Sequence, residues 1–149
     1  MKSLFEEAAK NEILNRLDKL SPESTRLWGK MQVSQMVYHC GRALDMAMGT
    51  INPKRVFMGK ILGFLLKSKY SNESPFGKNG PTSIELRVDS LPDFELERKR
   101  LKDLINRFSA NGEAGTTKHP HPFFGSLTPT EWGKGMYKHL DHHLKQFNA

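Results

Sequence analysis

Four segments of this chain place apolar residues three or four positions apart, and this spacing constrains the fold more than any other feature. The first covers residues 5–20 and contains Phe5, Ala9, Ile13, Leu17 and Leu20. The others cover residues 33–48, 94–108 and 132–147. Because an α-helix has about 3.6 residues per turn, each segment predicts a helix with one apolar face.

Local signals predict where these helices begin and end. Pro22 ends the first helix, because proline disfavours helical geometry in the residue before it. Gly49 is a typical C-terminal stop for the second helix. Thr128, Pro129 and Glu131 form a capping box with proline at the first helical position, which predicts the start of the last helix.

The remaining segments connect these helices. Residues 56–66 are helical in pattern but apolar on almost every side, which predicts deep burial or an oligomer contact. Residues 68–81 and 112–127 are predicted loops, and residues 84–88 a single extended connector. With no convincing strand pair, the chain is predicted to be an all-α, four-helix bundle with at least one long crossover, forming a single domain over residues 1–149.

Composition narrows the class of protein further. A length of 149 residues suits one domain, and the only cysteine, Cys40, cannot form an internal disulfide. Glu6, Glu7 and Glu12 near the N-terminus are not typical of a signal or transit peptide. Residues 56–66 are too short to span a membrane, which takes about 20 apolar residues. We therefore expect a cytoplasmic protein.

The formal net charge of +7 raises nucleic acid or an anionic membrane as a partner. The basic residues are dispersed, however, and form no basic tail. The densest basic segment, residues 54–69, is either a solvated helix edge or a binding patch, and the solvated edge is the more common case. We expect no nucleic-acid partner and no membrane partner.

Two histidines on the last predicted helix are the residues that most indicate a chemical function. His139 and His143 fall within the predicted apolar stripe of that helix. Side chains four residues apart on a helix are neighbours, so both imidazoles can reach one metal ion. Two buried imidazoles need partners for their nitrogens, and a metal ion satisfies them directly. The spacing favours a metal site about as strongly as hydrogen-bonded core histidines.

His39, at the edge of the second helix's apolar stripe, is the natural third ligand. Alone, it would be interpreted as a core histidine. Three histidines leave one position open for water or substrate, as catalytic zinc sites do, and nickel and other divalent ions are also compatible with them.

Other candidates are weaker. His142 is rotated about 100° from His143, and Asp141 and Lys138 are predicted on the same polar side. His119 and His121 lie in the predicted loop before the last helix and are either outer donors to the site or parts of a turn. Cys40, next to His39, is predicted to be a small core residue.

The same residues carry a resemblance to a known family. The matching segments are LWGKM at residues 27–31, Gln35-Met36 and His39, HPFFG at residues 121–125, Glu131-Trp132, and YKHLDHHLKQF at residues 137–147. These segments resemble the DinB-like superfamily, and in particular a subgroup described only as a domain of unknown function. The resemblance extends over most of the chain.

The resemblance implies a four-helix bundle that binds a divalent ion, nickel or zinc, through His39, His139 and His143. It also implies a thiol-dependent chemistry, since better-known relatives are transferases that use a low-molecular-weight thiol, and a maleylpyruvate isomerase. A cation lowers the pKa of a bound thiol or water and so makes a nucleophile at neutral pH. The substrate does not follow from the resemblance.

Three functions are compatible with the sequence. The first is a metal-dependent enzyme of transferase or hydrolase type. The second is a non-catalytic ligand-binding or protein-interaction module, with residues 56–66 as its interface and structural histidines. The third is nucleic-acid binding, which ranks last because no recognisable binding motif is present. A homodimer is also predicted, because relatives often pair through helices.

Overall fold

A computed structural model describes residues 1–80 and 86–149. These residues form α1 (Glu7–Leu17), α2 (Val33–Ala47), α3 (Phe57–Leu66), α4 (Ser68–Ser71), α5 (Phe94–Asn111) and α6 (Pro129–Gln146), with a short 3-10 helix at Glu113–Gly115. No strand occurs within the described ranges, which confirms the all-α prediction. No helix in them is long and apolar enough to cross a membrane.

The four long helices pack in pairs around one core. α2 contacts α5 and α6, and α1 contacts the same two helices from the other side. This pairing is compatible with a four-helix bundle. The connection between α2 and α5, residues 48–93, carries α3 and α4. Apolar residues from all four long helices form the core, including Ile13, Val37, Ile105 and Trp132.

The predicted helix boundaries hold to within a few residues. The Thr128 hydroxyl accepts a hydrogen bond from the Glu131 backbone N–H, and the Glu131 carboxylate accepts one from the Thr128 N–H, which confirms the capping box of α6. Asp93 caps α5 by accepting from the Leu96 N–H. α1 starts at Glu7 and ends at Leu17, inside the predicted limits of 5 and 20.

The connection between α2 and α5 differs from its predictions in two places. The predicted loop over residues 68–81 begins with α4, which folds back against α6 through Tyr70. Residues 56–66 were predicted to be deeply buried or to form an oligomer contact. Large apolar side chains of α3 are exposed, which excludes deep burial within the chain, and the oligomer contact stays a prediction. Of the predicted extended connector at residues 84–88, residues 84 and 85 lie outside the described residues.

Candidate metal centre

The packing of α2 against α6 brings three histidines together. His39 lies on α2, and His139 and His143 lie one turn apart on α6. The ring centroid of His39 is 5.0 Å from that of His139 and 4.9 Å from that of His143, and the two α6 rings are 4.7 Å apart. One nitrogen from each ring lies within 4.8 Å of the other two. The geometry therefore groups the three residues chosen from the sequence.

A backbone carbonyl fixes the tautomer of His39. Its Nδ1 lies 2.9 Å from the carbonyl oxygen of Leu86, which can only accept, so Nδ1 carries the proton and donates it. His39 is buried and neutral, so its Nε2 presents a lone pair. This is the arrangement found around metal-binding histidines, in which one ring nitrogen donates and the other binds the ion.

Gln146 does the same for His143. The Nδ1 of His143 donates to the Gln146 side-chain oxygen at 2.9 Å, and the Gln146 amide nitrogen donates to the Trp28 carbonyl oxygen at 2.8 Å. The amide is thus held at both ends, and the Nε2 of His143 is left as the free acceptor. Gln146 was not singled out in the sequence, although its position three residues after His143 is a detectable signal.

The segment before α2 makes room for this amide. Gly29 has a φ of 82°, a backbone conformation that favours glycine, and a Cβ there would lie 2.5 Å from the Gln146 amide nitrogen. Trp28 therefore holds the residue that orients His143, and Gly29 leaves room for it.

His139 completes the group and has an unusual environment. Its Nε2 lies 3.1 Å from the Nε2 of His39, and its buried Nδ1 has no hydrogen-bond partner among the described residues. If the proton of His139 is on Nδ1, two lone pairs face each other at 3.1 Å and a cation between them removes the repulsion. If the proton is on Nε2, it donates to His39 and no ion is needed. The donor set fits a divalent metal ion.

Burial keeps all three imidazoles neutral. It lowers the pKa of His39, lowers that of His139 well below its ordinary value, and lowers that of His143 to about 3. The other histidines of the group lower the pKa of His139 and His143 further by charge repulsion. Neutral imidazole is the form that binds metal, so the site is ready for a cation at neutral pH.

The other histidines make different contacts. His142 is outside the group of three, and its ring packs edge-on against Trp28 and Phe76. The Nε2 of His119 donates to the Pro53 carbonyl oxygen at 3.1 Å. The Nδ1 of His121 accepts from the backbone N–H groups of Phe123 and Phe124. The contacts of His121 support its interpretation as part of a turn, whereas the side chain of His119 joins its loop to Pro53.

Two polar residues of α6 fix this helix to the rest of the fold and do not orient the three histidines. Asp141 forms an ion pair with Arg16 of α1 at 2.7 Å and none with a histidine of the group. Lys138, predicted on the polar side, is buried, and its ammonium donates to the backbone carbonyls of Lys69 and Asn72. That prediction was wrong because the chain after α4 covers this side of α6.

Cys40 lies in the core, as predicted. It is fully enclosed by its neighbours, and burial raises the pKa of its thiol. A thiol without thiolate character is a poor nucleophile and a poor metal ligand. Cys40 therefore has no part in the chemistry of the three histidines.

Comparison with known proteins gives one family, whose match extends over nearly the whole chain. A family model described as "Protein of unknown function (DUF1569)" matches residues 2–149, and the chain belongs to this family. No curated protein and no solved structure matches it at a significant level.

Proposed function

We propose that this member of the DUF1569 family binds one divalent metal ion through the Nε2 atoms of His39, His139 and His143. One observation carries the proposal. The Nδ1 protons of His39 and His143 are already donated to acceptors, so both rings keep a free Nε2 lone pair, and one nitrogen of each of the three rings lies within 4.8 Å of the other two. Hydrogen bonds from the second ring nitrogen to a carbonyl or amide oxygen are common around metal-binding histidines, which supports the proposal.

The proposal includes membership of the DinB-like superfamily with its four-helix bundle. The support is the resemblance of the sequence segments and the contact of one of them, residues 27–31, with Gln146 beside His143. Trp28 holds Gln146 and therefore orients His143, and His121 shapes the turn before α6. Nickel and zinc are the proposed ions, since imidazole nitrogen suits both.

The proposed role is that of a metal-dependent enzyme of transferase or hydrolase type. A divalent cation, when bound, would lower the pKa of a thiol or water at the site to a value near neutral pH. The chain supplies three neutral imidazoles and so leaves the full positive charge of the ion available at the site. Because Cys40 is enclosed in the core, a reacting thiol would come from solution, as a low-molecular-weight thiol.

The alternative is a non-catalytic module with structural histidines. It is favoured by one observation, that His39 and His139 can share a direct hydrogen bond between their Nε2 atoms at 3.1 Å. In that case the group would be held by hydrogen bonds alone and would have no affinity for an ion.

Metal content distinguishes the two. Tag-free protein is purified without chelators, incubated with nickel or zinc, desalted and analysed for bound metal. The wild type is expected to hold about one ion per chain, and His39→Ala, His139→Ala and His143→Ala are each expected to hold far less, because two imidazoles bind much more weakly than three.

Two other histidines provide matched controls. His119→Ala and His142→Ala remove an imidazole from outside the group and are expected to keep the wild-type metal content. A wild type without metal after incubation, or equal occupancy in all five variants, contradicts the proposal. In either case the alternative with structural histidines takes its place.

A further inference from the structure

α3 presents an apolar stripe to solvent. Its most exposed residues are Phe57 at 74% and Phe64 at 72%, and the whole stripe consists of Phe57, Met58, Ile61, Phe64 and Leu65. At about 100° per residue these five positions span an arc of about 120° on the helix. A continuous apolar face of this kind on a folded chain usually marks an interaction site.

The opposite side of α3 fixes the direction of the stripe. Gly59 and Gly63 are buried there, and a Cβ at either position would lie within 2.7 Å of the backbone of Phe123. The Val56 N–H also donates to the Pro122 carbonyl oxygen at 3.0 Å. α3 is thus held by its glycine face, and the stripe points away from the described part of the fold.

Basic residues flank the stripe in sequence, and one of them, Lys60, lies on α3 itself. Residues 46–72 contain no acidic residue and carry Lys54, Arg55, Lys60, Lys67 and Lys69. Arg55 donates to the Gly59 carbonyl oxygen, and Lys67 pairs with Glu131 at 3.0 Å. The other three, Lys54, Lys60 and Lys69, are exposed.

We infer that the α3 stripe, together with Lys54, Lys60 and Lys69, binds the surface of an anionic lipid membrane. An apolar helix face bordered by lysines is the pattern of helices that lie in the interface of a bilayer. Exposed lysines next to such a face are attracted by anionic headgroups. A helix of ten residues is about 15 Å long and lies on the membrane rather than across it.

Charge favours this occupant over a second copy of the chain. Two α3 stripes in contact would bring the exposed lysines of both copies together in a segment that has no acid of its own. An anionic surface removes that repulsion. This inference replaces the expectation of no membrane partner. That expectation interpreted residues 54–69 as a solvated helix edge, but the same segment also carries the exposed apolar stripe.

Vesicle co-sedimentation tests the inference with the full-length chain. The protein is mixed with phosphatidylcholine vesicles or with vesicles that also contain phosphatidylserine. We expect binding to the anionic vesicles that weakens as salt is added. The double variant Phe57→Ser/Phe64→Ser should bind about tenfold more weakly or worse, because two large apolar side chains no longer enter the interface. Lys60→Glu should also weaken binding.

The chain offers a control for each variant. Leu91 and Leu96 are as exposed as the stripe, at 64% each, so Leu91→Ser/Leu96→Ser should leave vesicle binding unchanged. Lys19→Glu makes the same charge change as Lys60→Glu at an exposed position beyond α1. Thermal melts of all variants check that folding is retained.

Three results overturn the inference. The first is an absence of binding to anionic vesicles. The second is an equal loss of vesicle binding in the stripe variant and its control, and the third is binding to neutral vesicles that is as strong as binding to anionic ones. Sedimentation equilibrium is run in parallel. If the first of these results is accompanied by a dimer that disappears in Phe57→Ser/Phe64→Ser, the stripe is assigned to a second copy of the chain. Metal content is independent of these outcomes.

Discussion

At the scale of single residues, Gln146 is the side chain that connects the candidate metal centre to the rest of the fold. Its oxygen accepts the Nδ1 proton of His143, and its nitrogen donates to the carbonyl of Trp28. Without it, the buried Nδ1–H would lose its acceptor and the ring could rotate. Outer contacts of this kind change metal affinity by about 10- to 100-fold.

We therefore expect Gln146→Leu to weaken metal binding by about 10- to 100-fold while leaving the three ligands present. Titration with zinc or nickel in competition with a chromophoric chelator measures the dissociation constant. Gln146→Glu keeps an oxygen that accepts from His143 but loses the N–H that donates to Trp28, so its affinity should lie between those of Gln146→Leu and the wild type. An unchanged dissociation constant in Gln146→Leu would show that the contact has no role in holding the ring.

The residue scale also shows what the sequence could reveal. The spacing of His139 and His143 on one helix is local information, so their common direction could be predicted. The proximity of His39 was inferred from helix packing and from the resemblance, and it is observed. The burial of Lys138 could not be predicted, because it depends on α4 and Asn72 folding over α6. Such coverage is not encoded in the pattern of α6 itself.

At the scale of elements, α3 shows the same division between local and distant information. Its helical state could be predicted from sequence, but its burial could not. Whether an apolar helix is covered depends on which surface its backbone can approach, and Gly59 and Gly63 allow close approach only on one side. The apolar residues on the other faces are then left exposed.

Gly63→Ala tests how α3 is held. A Cβ at Gly63 would lie 2.0 Å from the carbonyl oxygen of Phe123, so we expect α3 to move away from residues 122–123. Alanine favours helix over glycine by about 1 kcal/mol, so the helix itself is not weakened. Amide hydrogen exchange in residues 56–66 should become about tenfold faster or more, because α3 opens more readily.

Gly77→Ala is the matched control, because no atom lies within 4 Å of a Cβ at that position. Its exchange pattern should equal that of the wild type. If α3 exchanges at the wild-type rate in Gly63→Ala, then the close contact with Phe123 does not hold the helix.

At the scale of the whole molecule, the candidate metal centre joins parts of the chain that are far apart in sequence. His39 lies in the second helix and His139 and His143 in the last, and the connection between α2 and α6 includes every other helix except α1. An ion held by all three would bind the folded chain and have little affinity for the unfolded one. The homodimer predicted from sequence stays a prediction, and sedimentation equilibrium measures it independently of metal.

Metal binding should therefore raise the thermal stability of the whole chain. An ion present at 100 times its dissociation constant adds about 2.7 kcal/mol to the free energy of unfolding. For a chain of this length that corresponds to a rise in Tm of about 5 to 10 °C, measured by differential scanning calorimetry with and without zinc or nickel. Addition of a chelator should reverse the rise.

His39→Ala separates this effect from non-specific binding. The variant retains the two histidines of α6 but has no ligand on α2, so an ion can no longer join the two helices. We expect its Tm to rise far less with metal, whereas His119→Ala should respond like the wild type. An equal rise in His39→Ala and wild type would mean that the ion stabilises the fold from a different place, and that the packing of α2 on α6 is independent of metal.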